Sequence, residues 1–507
     1  MDACKREPGR TAGYAAGVML EPLRFAGAAD GERRALEAVG RFEPGAPDWA
    51  YLPVEVPPGV GELAVSYRYD RPEPPPGMAG NALDVGVFDP RGHGPGGPGF
   101  RGWSGGARDR FAIGPGGATP GYLPGPIQPG TWHLLLGPYT VAPQGMAWAV
   151  RVELRYGDPG APFVPAPAPA RASGRGRAWY RGDAHVHSVH SDGRRLPEEV
   201  VAAARSAGLD FVVSTEHNTS SASGIWGRHA SGAGPLVLDG EEVTTRNGHL
   251  LALGLPAGEW IDWRYRAGDP AFGRALARIH QLGALAVAAH PYCPFPGCAW
   301  RFGYAGVDAV EVWNGPWTLD DEAALATWDG LLAAAPGAWP VALGGSDAHR
   351  EPEPIGLPRN VVLAAGLERR AILDGIRAGH LWIAESPGVE LSLEATAAGR
   401  SAGIGERLGA EPGTPVTVRL EAAGAAGCVA RLATDLGAVV DAPAGPDGRL
   451  ALSWTTTPRA SAYVRAELRR PGPAPTPAGT MVALTNPVFL GPAGPRPAPD
   501  PAGLGPR

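Results

Sequence analysis

Cysteine is scarce in this 507-residue chain, with Cys4, Cys293, Cys298 and Cys428 the full set. Four are too few for a disulfide scaffold, and no CxxC pair is present. Cys293 and Cys298 flank a proline-rich turn just after His290 and read as ordinary loop thiols or as metal-adjacent ones. An excess of basic charge is lacking too. Lys plus Arg number 45 against 51 Asp plus Glu, a net charge of −6, which argues against a broad electrostatic grip on nucleic acid. No stretch approaches the ~20 apolar residues that a membrane span needs. The N-terminus holds no apolar run long enough for a signal peptide, so cytoplasmic residence is the expectation. No GxSxG elbow occurs, which removes the usual signature of a serine nucleophile.

What is abundant is glycine (75) and proline (56), clustered outside the centre of the chain, alongside a hydrophobic content of 44% that suffices for a globular core. The length suggests about two to four domains. Residues 1–158 read as an all-β, sandwich-like domain, with short apolar alternations such as LAVSYRY, ALDVGVF and AWAVRVELRY separated by Gly/Pro turns. Trp103, Trp132 and Trp148 fit core or inter-domain packing better than an exposed binding face. Residues 159–178 form a Pro/Ala/Gly linker, whose composition favours extended polyproline conformations over a core. Residues 179–386 alternate apolar strands with helices. The first helix is opened by Pro197 and two acids and stopped by Gly208. About seven such units predict an α/β fold, a distorted (β/α)7-type barrel whose active face lies at the C-terminal strand ends. Residues 387–492 return to β, as an Ig-like sandwich or a sheet packed on the barrel, and 493–507 read as a disordered tail.

The central stretch is Tyr180 to Gly193, YRGDAHVHSVHSDG. A strand there puts Asp183, His185 and His187 on one face, and two imidazoles one residue apart converge on one point. The following turn carries His190 and Asp192. Downstream, His217, Glu241, Glu242, His249, His290, Asp347 and His349 recur at predicted strand ends. Imidazole with carboxylate suits zinc, iron or manganese, and there are too many donors for one tetrahedral ion. Two or three dications would repel one another unless a carboxylate lay between them, and Glu242 is the natural bridge. Such a centre would carry net positive charge and favour an anionic small molecule.

The motifs DAHVHSVHSDG, STEHN, GEE with GHLLALG, AAHP and GGSDAH, in that order, resemble the polymerase-and-histidinol-phosphatase (PHP) superfamily of metal-dependent hydrolases. EVWNG (Glu311 to Gly315) and TNPVFL near Thr485 resemble its carbaryl-hydrolase-like branch. The resemblance implies the PHP barrel and a di- or trinuclear centre. It places His185, His187, Glu242 and Asp347 around a first metal, Glu242, His249 and His290 around a second, and Asp192, His217 and His349 around a third. Glu242 is chosen over Glu241 by the G-x-E spacing from Gly240, and strand alternation lets only one of the two face the site. The acid before His217 is Glu216, where the family usually has Asp, and is expected to adjust a supporting hydrogen bond.

Among the other polar residues, His190 reads as an orienter, a proton carrier or an exposed turn residue. Arg350 reads as a phosphate clamp or a surface partner of Glu351 or Glu353, and Asn314 as a substrate contact. Glu242, Asp347, His190, Arg350 and Asn314 are thus the candidates for catalytic roles. His280 and His380 are expected to satisfy helix-end carbonyls, and His93, His133 and His229 to be scaffold. The expected activity is hydrolysis assisted by two or three divalent ions, of a phosphoester first. A carbamate, carboxyl ester or amide would be attacked by the same chemistry. A non-catalytic metal-binding module and a carbohydrate-processing enzyme are the competing classes. Oligomeric state is left open.

Overall fold

The computed structural model describes residues 17–158, 160–230, 232–334, 339–472 and 478–491. The expected tail at 493–507 lies outside them. Within the first 158 residues, a six-stranded and a five-stranded antiparallel-rich sheet pack face to face. The alternation read in Val60–Tyr69 and Met146–Tyr156 buries Leu63, Val65, Val150, Val152 and Leu154 in one core with Trp132 and Trp148. Trp103 instead joins Trp49, Phe88 and Phe100 against Trp260 and Trp263 of the central region, a shared aromatic cluster that fixes the two regions together.

The central region is built on nine strands and four helices: β1 (Ala178–Val186), α1 (Pro197–Ser206), β2 (Phe211–Ser214), β3 (Leu236–Thr245), β4 (Gly248–Leu253), α2 (Ala271–Gln281), β5 (Leu285–Ala288), β6 (Ala309–Asn314), α3 (Leu319–Ala334), β7 (Val341–Gly345), β8 (Arg359–Ala364), α4 (Arg369–Arg377) and β9 (Leu381–Ala384). α1 begins and ends where its sequence signals lie. Pro197 is its first residue, the Glu199 carboxylate accepts the Leu196 N–H, and Gly208 at φ 69° carries the chain away.

The strand order is β7-β6-β5-β4-β3-β2-β1-β8-β9. β1, β2 and β3 pair in parallel, as do β5, β6 and β7, but β3–β4, β4–β5, β1–β8 and β8–β9 are antiparallel. The expected seven repeated β/α units are therefore corrected to a curled, mixed sheet. The reason is local: β3 and β4 are joined by the tight turn at Arg246–Asn247, too short for a helical crossover. The curl brings β7 back towards β1, where one bridge pairs Val186 with Ala348. The backbone of β7 is completed by carboxamides. Asn360 accepts from the Gly344 N–H and donates to its carbonyl, and Asn486 does the same for Ala342.

β9 pairs with Thr480–Thr485, so late strands continue the central sheet, while Glu390–Ala397 and Val416–Ala423 belong to a separate four-stranded sheet. Half-buried pairs Arg465–Asp329 and Arg469–Glu322 tie the late strand Tyr463–Arg470 to α3. No helix among the described residues is long and apolar enough to cross a membrane.

Candidate metal centre

The alternation of β1, continued one residue past its end, delivers His185 and His187 to the same side, both fully buried. Asp183, two residues earlier, accepts the N–H groups of His185, Ser346 and Gly356, and so ties β1 to the segment after β7. That segment carries Asp347, whose own N–H bonds the His185 carbonyl. Glu242 enters from β3. Its neighbour Glu241 points the other way and accepts the Ile261 N–H, as alternation requires.

Four donor atoms meet here. His185 Nε2 lies 3.1 Å from His187 Nε2, 3.1 Å from Glu242 Oε2 and 3.3 Å from Asp347 Oδ1. His187 Nε2 lies 3.2 Å from Glu242 Oε2 and 3.1 Å from Asp347 Oδ1. An ion held tetrahedrally about 2.0–2.1 Å from each ligand spaces those ligands about 3.3 Å apart, so the cluster has the dimensions of a metal's coordination shell.

The proton positions point the same way. His185 Nδ1 faces Glu311 Oε1 at 2.9 Å. His187 Nδ1 faces Ser191 Oγ, which itself donates to Glu216 Oε2 at 2.6 Å. With each Nδ1 carrying its hydrogen towards an acceptor, both Nε2 lone pairs and both carboxylates face one point and require positive charge there. Burial would raise Glu242, but His217, His185 and His249 outweigh it and hold the carboxyl well below its usual range. Burial likewise opposes protonation of His187, yet with no ion present Asp347 and Glu242 push it up to about 10, so a proton on Nε2 is what a bound cation would displace.

The second carboxylate oxygen of Glu242, Oε1, lies 2.6 Å from His249 Nδ1 and 2.9 Å from His290 Nε2. One carboxylate thus faces two groups of imidazoles. His249 Nε2 and Asp347 Oδ1 are buried without a hydrogen bond. Further out, Asp192 Oδ1 lies 3.2 Å from His349 Nε2 and 3.6 Å from His217 Nε2. His349 is aimed by its Nδ1, 2.7 Å from the Asp347 carbonyl, and His217 by Thr244 Oγ1 at 2.5 Å from its Nδ1. Against the desolvation of its partly covered carboxylate, the imidazoles of His217 and His349 hold Asp192 well below the carboxylate range. All nine candidate ligands are therefore in one place.

The backbone is strained at the same place. Among described non-glycine residues, positive φ occurs at Asn218, His290, Asp347 and Ala398, and the first three belong to or adjoin the cluster. Gly345 leaves room for it: a Cβ there would lie 2.4 Å from His185 Cβ and 2.5 Å from Glu311 Oε1.

The remaining candidates fall differently. His190 is buried, not an exposed turn residue, and its Nδ1 meets Ser221 Oγ at 2.9 Å. Asn314 donates to Glu311 Oε2 at 3.1 Å and reaches Asp347 Oδ2 at 3.4 Å, so its amide supports the acids around the centre. Arg350 is turned to solvent and pairs with Glu353, the surface pairing of its two readings. His280 meets the Asp308 carboxylate, not a helix-end carbonyl. Cys293 and Cys298 are joined in a disulfide, which corrects their reading as loop thiols. The turn between them brings their Cα atoms to 5.6 Å, and Cys298 Sγ lies 3.4 Å from His290 Nδ1. Such bonds persist in oxidising compartments.

Glu311 was missed as a site residue. It is a fully buried acid inside the apolar run AVEVWNG, and that placement was the available signal. Besides His185 it accepts the His290 N–H, and so orients ligands of both inner groups.

A cavity of about 630 Å³ opens onto Glu242, Asp347 and the outer histidines. Pro291, Tyr292, Pro294 and Phe295 also line it.

No family model matches the chain. Among curated proteins, it is similar to an uncharacterized protein of Methanocaldococcus jannaschii, 25% identical over an alignment of 150 residues that covers 26% of this chain and 81% of that protein. Among solved structures, a two-domain Bacteroides vulgatus protein described as containing a PHP-like metal-dependent phosphoesterase matches 65% of this chain and all of its own, at TM-score 0.35 and 15% identity. An amidohydrolase from Chromobacterium violaceum matches 34% of this chain and 89% of its own, at TM-score 0.27 and 20% identity. A Bifidobacterium adolescentis protein described as a metal-dependent phosphoesterase matches 37% and 92%, at TM-score 0.25 and 20% identity. These are distant, partial likenesses, and the geometry of the centre stands without them.

Proposed function

We propose that this chain is a metal-dependent hydrolase of the PHP type, with phosphoesters as its substrates. The observation that carries the reading is the meeting of four acceptor atoms at 3.1–3.3 Å, with Glu242 shared towards a second imidazole pair.

His185, His187, Glu242 and Asp347 would hold one divalent ion, Glu242, His249 and His290 a second, and Asp192, His217 and His349 a third. Zinc, manganese and iron all suit this donor set. Bound there, such ions activate water and neutralise charge on the oxygens of the scissile group. The chain's own residues fix the geometry. Glu311 and the Ser191–Glu216 pair keep the Nε2 lone pairs of His185 and His187 directed inward. Asn314 steadies Glu311 and Asp347 beside the cavity, and His190, held on Ser221, secures the turn that carries Asp192.

A second reading, hydrolysis of a carbamate or carboxyl ester, is favoured by one observation: among the described residues neither Lys nor Arg lines the cavity, so a phosphate would find its cationic partners at the ions. Metal analysis of the purified protein, with hydrolysis screened over phosphomonoesters, phosphodiesters and aryl carbamates, tests both. The expected result is two or three ions per chain with turnover of a phosphoester. Bound metal with no turnover of any ester would leave a binding module instead.

A further inference from the structure

We propose that the outer half of the cavity receives the leaving group, and that it accepts an apolar, ring-sized body while rejecting a second anionic group. This rests on the reading that the reacting group is held at the metal centre.

The first observation is a fixed apolar lip. Pro291, Tyr292, Pro294 and Phe295 follow His290 directly and face the cavity. The disulfide closes this loop on itself, Tyr292 Oη meets Thr327 Oγ1 of α3 at 2.5 Å, and the Pro296 carbonyl accepts from Tyr139 Oη at 2.8 Å. Phe295 is nevertheless 73% exposed. An aromatic ring exposed on an anchored loop beside a reactive centre gains its packing only from whatever enters the cavity.

The second observation is the sign of the charge. Asp320, Asp321 and Glu353 also line the cavity, and among the described residues no Lys or Arg does. Two of these acids are already engaged. Asp321 accepts the N–H groups of Asn314 and Thr318, and Glu353 those of His349 and Arg350. The helix that starts at the cavity, α3, opens with Asp320, Asp321 and Glu322, which offset the positive end of its dipole. A second phosphate or carboxylate on the substrate would meet carboxylates and apolar rings and neither a Lys nor an Arg among the described residues.

The test uses full-length, metal-loaded protein and three non-hydrolysable probes: methylphosphonate, benzylphosphonate and 4-carboxybenzylphosphonate, with affinities from calorimetry. Benzylphosphonate is expected to bind about tenfold tighter than either of the others. In Phe295→Ala the benzyl advantage over methyl should fall several-fold, with metal content of the same sample reporting intact folding. In Asp320→Lys the carboxylated probe should gain several-fold. Equal affinities, tighter binding of the carboxylated probe, or no binding of any probe would overturn the proposal. Ring-selective binding without turnover of any ester would sink the hydrolase reading alone. Turnover without ring selectivity would sink this inference alone.

Discussion

The inner and outer ends of the candidate metal centre are built by different means. The inner tetrad comes from regular structure and its immediate ends: His185 on β1 with His187 one residue past it in the same alternation, Glu242 by alternation along β3, all three fully buried, with Asp347 just past the end of β7. The outer group comes from turns, and its Asp192 side chain is 45% exposed. Its support is borrowed from the N-terminal region. Arg108 donates to the Val189 carbonyl, the Gly121 N–H donates to Ser221 Oγ, and Thr219 Oγ1 donates to the Gly121 carbonyl. Strand period fixes donors rigidly and leaves little to adjust, whereas turns need an outside brace. The N-terminal sandwich is therefore part of the site's scaffold.

The sharpest way to break the contrast is Glu242→Gln, which removes the carboxylate shared by both inner groups. Both inner ions should be lost and activity should drop to background, as read by metal content and kcat/KM. Next in size, Glu311→Gln should lower inner-ion affinity about 10- to 100-fold while leaving the outer group, because Glu311 orients His185. Gly345→Ala should act at the same place by crowding, at a cost of about 1–3 kcal/mol in stability, read by denaturant unfolding. Asp192→Asn should cost one ion equivalent and spare the tetrad. Ser221→Ala removes two hydrogen bonds, about 1–2 kcal/mol together, and should weaken the outer ion alone.

The smallest effect on metal content and activity is expected from Asp239, on β3 but away from the cluster. Burial pushes its carboxyl from 3.8 up to about 7, against the opposing influence of Arg369. A raised acid favours the protonated folded state, so stability contributed there is present at low pH and is lost as pH rises from about 4 to 7. Asp239→Asn should flatten that part of the unfolding-midpoint profile and leave metal content unchanged.

Much of the inner site was legible because β alternation is local: the HxH pair and the choice of Glu242 over Glu241 both follow from a period of two. The first helix was equally legible, since Pro197 and Gly208 act within their own turns. What escaped depends on distant partners. Glu311 becomes a site residue only when the curl of the sheet sets β6 beside His185. Asn360 and Asn486 complete the backbone of β7 from 16 and 144 residues away. The repeated β/α expectation failed because β3 and β4 turn back on each other within two residues, a choice that apolar runs alone do not reveal. The disulfide depends on the path of the turn between Cys293 and Cys298, which spacing does not dictate.

Anomalous diffraction at a metal absorption edge, from crystals of the manganese- or zinc-loaded protein, tests the central claim most directly. The expected map places one ion among His185, His187, Glu242 and Asp347, and a second on the far oxygen of Glu242 with His249 and His290. A map with no ion touching Glu242, from protein whose fold is otherwise as described, would contradict it.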